Sequence, residues 1–423
     1  MAVSTRVRCS DWLDLKTGSP AAPTAPAATR VTALGFWVVA AVFVIVQAGG
    51  TLPIPLYVIW QPRFGFHAGV LTLIFAVYAV GTLLALLLIS PLSDQLGRRP
   101  ALASAVAFSA ASTGVFLVAN SIGALLVARF LSGVASGIVA ATAAAALAEL
   151  EPRGRSRRAS LTATAANLGG LGLGALFAGV IAQYGHNPTK LVFWIYIAAL
   201  LPTLLGLATV PETVHGSHPV QWRPKGLQVP RNARRRFALV GGAIFCAYTL
   251  NGLFSSLVPS FLAGSLHEHN HAIAGTIAAA IFLIAAVSQL LLHRLTPRSA
   301  LSLGLAMLIL SLALIEVALW SGNLVVFLAG TFAGGLAVGL AFMGGLATVN
   351  LIAEPQHRAE VVAAFLSCAF AGLTIPSVAV GLASQSLGTR DSTLYCALLI
   401  GALAVIALAE IRHSSDATRG TAT

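Results

Sequence analysis

Arg129 has the position in this sequence that most strongly suggests chemistry. It is the only cationic residue inside one of the long apolar runs of the chain. A charge buried in a membrane is costly, and it usually marks the path of an ion or a substrate. We therefore expect Arg129 to have a functional role. The alternative is a structural role, in which Arg129 binds the carbonyl groups of neighbouring helices.

A charged segment separates two other apolar runs and contains Asp94, Gly97, Arg98 and Arg99. The glycine permits a tight turn, and the acid and the arginines can form ion pairs. We expect these residues to form a gating loop that opens and closes one end of a cavity. The alternative is a solvated loop, in which exposed ion pairs contribute about 0–1 kcal/mol each.

Four polar residues inside apolar runs are candidates for lining a substrate cavity: Gln47, Asn167, Tyr248 and Asn251. A carboxamide offers hydrogen-bond donors and acceptors without the desolvation cost of a charge. Interhelical hydrogen bonds that hold helices together would explain the same residues. Both interpretations stay open at this point.

The composition indicates that these residues lie in a lipid bilayer. The 423 residues are 57% hydrophobic and only 9% charged, whereas soluble domains carry about 25% charged residues. The chain is therefore predicted to be an all-α integral membrane protein with twelve transmembrane helices, because about 20 apolar residues span a bilayer. The predicted spans are 31–57, 67–90, 101–119, 121–149, 159–184, 190–210, 237–263, 272–293, 299–320, 323–351, 360–387 and 391–411.

The predicted spans form two six-helix halves, residues 31–210 and 237–412, joined by a proline- and arginine-rich linker at 211–236. Residues 1–30 are rich in Ala, Pro and Thr and are predicted to be a disordered tail, and residues 413–423 a second tail. The halves read as degenerate repeats, because Glu151-Pro152 corresponds to Glu354-Pro355, and Gln47 then falls opposite Asn251. Trp37, Trp60, Trp194 and Trp320 fall near span ends, as interfacial aromatic residues do.

The net charge of +12 is unevenly distributed, which argues against nucleic-acid binding. Positive residues concentrate in the cytoplasmic loops of membrane proteins, so both tails and the linker are predicted to be cytoplasmic, in the inner (plasma) membrane. Nearly all cations fall on that side: Arg98, Arg99, Arg153, Arg155, Arg157, Arg158, Arg223, Lys225, Arg231, Arg234, Arg235, Arg236, Arg294, Arg298, Arg358 and Arg412.

The charged segment resembles the loop between helices two and three of the major facilitator superfamily, G-x-x-x-D-r-x-G-r-r. Asp94, Gly97, Arg98 and Arg99 match it, while Ser90 stands in place of the first glycine. The superfamily's helix-four motif R-x-x-x-G is matched at Arg129 and by a glycine four residues later. The resemblance implies two six-helix halves that rock about a midplane site, and it gives this arginine a part in proton coupling.

The fifth span is similar to the signature G-x-x-x-G-P-x-x-G-G of exporters in this superfamily, most like its twelve-helix drug:H+ antiporter group. Gly170, Gly174 and Gly179 match, but Ala175 replaces the proline and Ala178 replaces a glycine. The match favours export. Close packing between helices would also explain the glycines.

Several other classes of site are excluded or disfavoured by the sequence. No P-loop is present, the four cysteines show no metal or disulfide spacing, and no enzyme-like cluster of nucleophile and base occurs. His267, His269 and His271 alternate in a loop, but no further metal ligand is evident. Glu316 is the only acid well inside a span. We expect no cofactor other than a coupling proton.

The leading hypothesis is a secondary transporter that works by alternating access and exports drug-like compounds or metabolites in exchange for protons. An uptake facilitator or symporter for a neutral solute such as a sugar is the alternative. A non-transporting membrane receptor is a more distant one, because the chain lacks a sizeable signalling tail. The expected partners are a small-molecule substrate and the lipid bilayer, with the protein acting as a monomer.

Overall fold

The computed structural model describes residues 30–89, 93, 95–151, 155–213, 233–265, 270–354 and 357–419. These residues form helices and connecting turns without any strand, and twelve of the helices are long and apolar enough to cross a membrane. The predicted all-α membrane fold is thereby confirmed. In chain order the twelve are α1 (Arg30–Thr51), α2 (Ala68–Leu84), α3 (Arg98–Val118), α4 (Ile122–Leu150), α5 (Ser156–Tyr184), α6 (Pro188–Leu207), α7 (Arg234–Ser265), α8 (His271–Leu291), α9 (Pro297–Ser321), α10 (Leu324–Ile352), α11 (Arg358–Leu387) and α12 (Thr389–Arg419).

Two terms describe the ends of the helix bundle. The basic face is the end at which α1 begins and at which the turn between α2 and α3 lies; the other end is the opposite face. Residues 1–29 of the predicted tail and residues 214–232 of the predicted linker lie outside the described residues. The last helix continues to Arg419, beyond the predicted boundary at 412.

The first span ends earlier than predicted, at Thr51 instead of residue 57. Pro53 and Pro55 follow within four residues, and each lacks a backbone N–H and so cannot continue the helix. The chain makes an irregular turn and then forms a short helix, Tyr57–Phe64, before α2. Trp60 in this short helix is only 1% exposed, so it packs inside the protein and does not face lipid.

Side-chain caps begin three of the helices that start at the opposite face. Ser121 accepts a hydrogen bond from the Ala124 N–H at the start of α4. Asn270 and Asn323 cap α8 and α10 in the same way, each accepting from two backbone N–H groups. Such caps satisfy backbone donors that have no partner within the helix, and here they fix where these membrane spans begin.

Each half of the chain has its own hydrophobic core. One cluster of buried residues runs from Phe36 to Val210, and a second runs from Val240 to Ile411. Within the halves, equivalent helices pack through equivalent glycines. Gly137 of α4 faces the backbone of α2, and Gly339 of α10 faces the backbone of α8, so closely that a Cβ atom at either position would overlap its neighbour. This correspondence supports the predicted repeat.

The two halves meet along α2 with α11 and along α5 with α8. A third buried cluster joins them, with Ile54 and Phe75 from the first half and Ala278 and Leu373 from the second among its members. These apolar contacts place a packed layer between the halves, on the opposite-face side of the bundle.

Candidate functional site

Arg129 is completely buried in α4, in the interior of the first half. Its Nη1 donates a hydrogen bond to the carbonyl oxygen of Gly50 in α1, at 2.6 Å. The guanidinium carbon lies 5.5, 5.4 and 5.0 Å from the ring centres of Tyr57, Phe75 and Tyr78, respectively. Three aromatic faces and one carbonyl therefore surround this cation, and cation–π attraction offsets part of its desolvation.

The remaining donors of Arg129 are not satisfied by the described residues. Nε and Nη2 are buried and make no hydrogen bond there. A buried donor without a partner costs about 1–3 kcal/mol, and more when the group is charged. The second half shows that the fold does not need this charge. Thr331 occupies the equivalent position in α10 and simply bonds the Phe327 carbonyl of its own helix at 2.9 Å.

A chain of hydrogen bonds leads from the Arg129 pocket to two of the predicted cavity residues. The Tyr78 hydroxyl donates to Ser136 Oγ at 2.9 Å, and Ser136 Oγ donates to Gln47 Oε1 at 2.6 Å. Gln47 Nε2 in turn donates to Asn167 Oδ1. The chain joins α2, α4, α1 and α5, so it connects four helices of one half at the depth of the membrane interior.

The two other predicted cavity residues are placed apart from this chain, in α7 of the second half. Asn251 is 8% exposed, and its Oδ1 has no hydrogen-bond partner among the described residues. Tyr248 is half-buried beside the cluster that joins the halves, with its ring 6.2 Å from that of Phe342. Gln47 and Asn251 occupy related positions in the repeat, but only Gln47 belongs to a hydrogen-bond chain in the described part of the protein.

The predicted gating loop is well defined around Arg98, at the basic face, while Asp94 lies outside the described residues. Gly97 adopts a φ of +107°, which a side chain would strain. Arg98 Nη2 forms an ion pair with Glu149 Oε1 at the end of α4, at 2.9 Å. The side chain of Arg99 is exposed.

Glu212 completes the structure of this turn. Its carboxylate accepts hydrogen bonds from the backbone N–H groups of Arg98, at 2.8 Å, and Arg99, at 3.1 Å. A carboxylate at the N-terminus of a helix is stabilised by the free N–H groups and by the helix dipole. Arg98 therefore links the start of α3 and the end of α4, both in the first half, to the beginning of the linker after α6.

The glycines of the predicted helix-five motif contact two different partners. Gly170 and Gly174 face α1, where a Cβ atom would overlap the carbonyl oxygens of Val44 and Ala48. Gly179 instead faces Gly275 of α8 in the second half. Helix α5 therefore packs closely against α1 in its own half and against α8 in the other half.

Several site residues were missed by sequence reasoning: Tyr78, Ser136 and Glu212. Ser136 follows Arg129 by seven residues, or two helical turns, so the 3.6-residue period could have placed it on the same face of α4. Nothing in the local sequence assigns Glu212 to the turn at Gly97, because that contact depends on how α3 and α6 pack. The alternating histidines His267 and His269, which were not expected to form a metal site, lie outside the described residues. Among the described residues, no group of three or more His, Cys, Asp or Glu side chains is placed to hold a metal ion.

Comparisons with known proteins agree with this architecture. The sequence profile described as Major Facilitator Superfamily matches residues 38–298 and 240–422. The chain belongs to the major facilitator superfamily. The chain is also 26% identical, over 83% of its own length and 89% of the other protein's, to an uncharacterized MFS-type transporter, YceJ, of Bacillus subtilis (strain 168).

Membership in this superfamily confirms the predicted class of function. The protein is a multi-pass membrane transporter of the secondary type and not an enzyme. The motif matches at the charged turn and at Arg129 therefore indicate the superfamily and not one of its subgroups.

Proposed function

We propose that this superfamily member exports small organic molecules, drug-like compounds or metabolites, in exchange for protons. The observation that carries the proposal is the connection between Arg129 and Gln47. A buried cation packs against Tyr78, and the hydroxyl of Tyr78 leads through Ser136 to a carboxamide in the membrane interior. A substrate that hydrogen-bonds Gln47 would shift this chain and so change the surroundings of the cation.

The contacts between the halves support transport by alternating access. At the opposite face, Gln183 Oε1 of α5 accepts a hydrogen bond from the His271 N–H of α8 at 2.8 Å. Gly381 of α11 lies against Thr72 of α2. These two seams, with the apolar cluster between them, join the halves at the opposite face. Rocking of the halves would separate the seams and expose the interior to that side.

The orientation follows from the distribution of charge. The excess of positive residues at the basic face supports a cytoplasmic location for that face. Both termini then lie in the cytoplasm, and the protein spans the inner (plasma) membrane. In that orientation the closed seams face outward. We propose that the working unit is a monomer in the lipid bilayer, with a small molecule and a proton as its partners and no nucleic acid.

A facilitator or symporter for a neutral solute is the second candidate, because one observation favours it. Gln47 and Asn167 present adjacent carboxamides, which suit hydroxyl groups as well as drug-like amides. Export and uptake therefore have to be separated by measurement.

The deciding experiment measures proton movement across proteoliposomes that carry an internal pH dye. A panel of lipophilic cations, neutral drugs and sugars is applied to the parent protein, to Arg129→Ala and to Asp94→Asn. Proton efflux triggered by a drug-like compound and lost in Arg129→Ala supports the exporter. Solute uptake without a proton signal, unchanged in Arg129→Ala, would contradict the exporter and leave a facilitator with a structural arginine.

A further inference from the structure

The turn that follows α1 is buried along its whole length. All seven residues from 51 to 57 are buried, and Ile54 and Leu56 are 0% exposed. Connections between helices normally run over the surface of a protein, so this turn fills space inside the bundle. Its first residue, Thr51, donates a hydrogen bond to the Leu171 carbonyl oxygen of α5 at 2.6 Å. We call residues 51–57 the buried turn.

Arg129 contacts the buried turn at both of its ends. Its Nη1 donates to the carbonyl oxygen of Gly50, the residue before the turn, at 2.6 Å. Its guanidinium carbon lies 5.5 Å from the ring centre of Tyr57, the last residue of the turn. Arg129 lies about 10 Å along α4 from Ile122, where that helix begins, at a rise of about 1.5 Å per residue. A charge-assisted hydrogen bond and a cation–π contact from one side chain therefore hold the buried turn to α4, inside the bundle.

The middle of the buried turn lies in the seam between the halves. Ile54 belongs to the apolar cluster that joins them, together with Ala278 of α8 and Leu373 of α11 in the second half. The short helix that follows the turn also contacts α7 of the second half. Separation of the halves at the opposite face would expose Ile54 to water, and the apolar surface that it buries opposes that separation.

We propose that Ile54 is a gate residue, whose side chain blocks the seam between the halves at the opposite face. Arg129 is the positioning residue of this gate, because it holds the buried turn through Gly50 and Tyr57. This role goes beyond the proposed function and does not rest on it. A gate at one face serves an exporter and a facilitator equally, whatever molecule is carried.

The test measures how readily the seam opens in the full-length protein in lipid nanodiscs. Ala278→Cys, at a position only 2% exposed, reports access to the seam through its rate of reaction with a charged, membrane-impermeant maleimide. This reporter is compared alone and in combination with Ile54→Ala, with Arg129→Gln and with Leu71→Ala. Leu71 is 1% exposed in the core of the first half, so Leu71→Ala is the matched control for a lost apolar side chain. The same proteins without Ala278→Cys give the background from native cysteines.

We expect Ile54→Ala and Arg129→Gln each to speed labelling of Ala278→Cys at least tenfold, with Leu71→Ala within twofold of the reporter alone. Rapid labelling of the reporter alone, or an unchanged rate with Ile54→Ala, would overturn the gate. An equal increase with Leu71→Ala would also overturn it, because any loosening of the core would then open the seam. An unchanged rate with Arg129→Gln would overturn the role of Arg129.

Hydrogen–deuterium exchange separates a positioning role of Arg129 from a general structural one. The amide of Ile54 donates to the Thr51 carbonyl oxygen at 3.0 Å, so its exchange reports order in the buried turn. Arg129→Gln, or Tyr57→Leu where Arg129→Gln does not fold, should raise this exchange at least tenfold and leave α9 within twofold of the parent. Equal increases in the turn and in α9 would overturn the proposal. Because neither transport nor proton movement is measured, failure here leaves the exporter proposal standing.

Discussion

The guanidinium carbon of Arg129 lies 5.0 Å from the centre of the Tyr78 ring, and the hydroxyl on that ring donates to Ser136. One side chain thus contacts a buried cation with its ring and a polar chain with its hydroxyl. The two contacts can be separated by substitution, which makes Tyr78 the most informative position in the first half.

Tyr78→Phe should keep the ring beside Arg129 and remove the donor to Ser136. We expect a loss of about 0.5–1.5 kcal/mol in stability, the usual net contribution of one hydrogen bond, and a lower ratio of protons to substrate transported. Proteoliposome assays that record both fluxes measure this ratio. Tyr395→Phe, at a position 61% exposed on α12, is the control, and an unchanged ratio in Tyr78→Phe would exclude the hydrogen-bond chain from coupling.

Arg129→Lys should reduce transport at least tenfold, although it conserves the charge. An ammonium group cannot offer a flat surface to the three rings or reproduce the planar geometry of the guanidinium. The initial rate of substrate flux and the thermal unfolding temperature are the measurements, with Arg390→Lys at an exposed position as control. Full activity in Arg129→Lys would show that only the charge matters.

Glu212→Gln should destabilise the turn at the start of α3. The carboxylate accepts from three backbone N–H groups, those of Arg98, Arg99 and Thr213, and uses both of its oxygens. An amide has only one acceptor oxygen and would turn its own N–H group against a donor. We expect a loss of about 1–3 kcal/mol, in the range for hydrogen bonds to charged groups, seen as a lower unfolding temperature in nanodiscs. Glu354→Gln serves as the control. Equal unfolding temperatures of the two variants would contradict a role for Glu212 in stabilising this turn.

Gly381→Ala should interfere with closure of the opposite face. A Cβ atom at this position would overlap Thr72 of α2, while Gly114 in α3 has open space around it, so Gly114→Ala is the matched control. We expect transport to fall at least tenfold in Gly381→Ala only. Hydrogen–deuterium exchange should rise at the ends of α2 and α11 that meet at this seam. If exchange and flux in Gly381→Ala both equal those of the parent, the seam tolerates a methyl group and the prediction is wrong.

The twelve helices were predictable because each is a long apolar run. A backbone that crosses a bilayer must satisfy its hydrogen bonds internally, and an apolar run of this length does so as an α-helix. Their ends were less predictable where the chain is irregular. At Pro53 and Pro55 the apolar pattern continues although the helix stops. Trp60 is apolar and near a span end, but it stacks on Phe116 and Phe193, at 5.7 and 6.1 Å, instead of facing lipid.

The candidate site was only partly predictable, because the sequence does not state which helices are neighbours. Gln47 and Asn167 were both selected as polar residues in apolar runs, but their mutual hydrogen bond spans 120 positions. The repeat suggested Asn251 as the counterpart of Gln47, and the structure shows no bond between them in the described residues. Glu212 and Tyr78 were missed for the same reason, since only the packing of helices brings them to their partners.

The bond between the Arg98 N–H and Glu212 has a consequence for the order in which the protein is made. The two residues are 114 positions apart, so a growing chain that already contains α3 and α4 still lacks the group that completes the turn before α3. Only after α6 has left the ribosome can that carboxylate reach the turn. A chain that stops before residue 212 therefore lacks the carboxylate that accepts hydrogen bonds from the N–H groups at the start of α3.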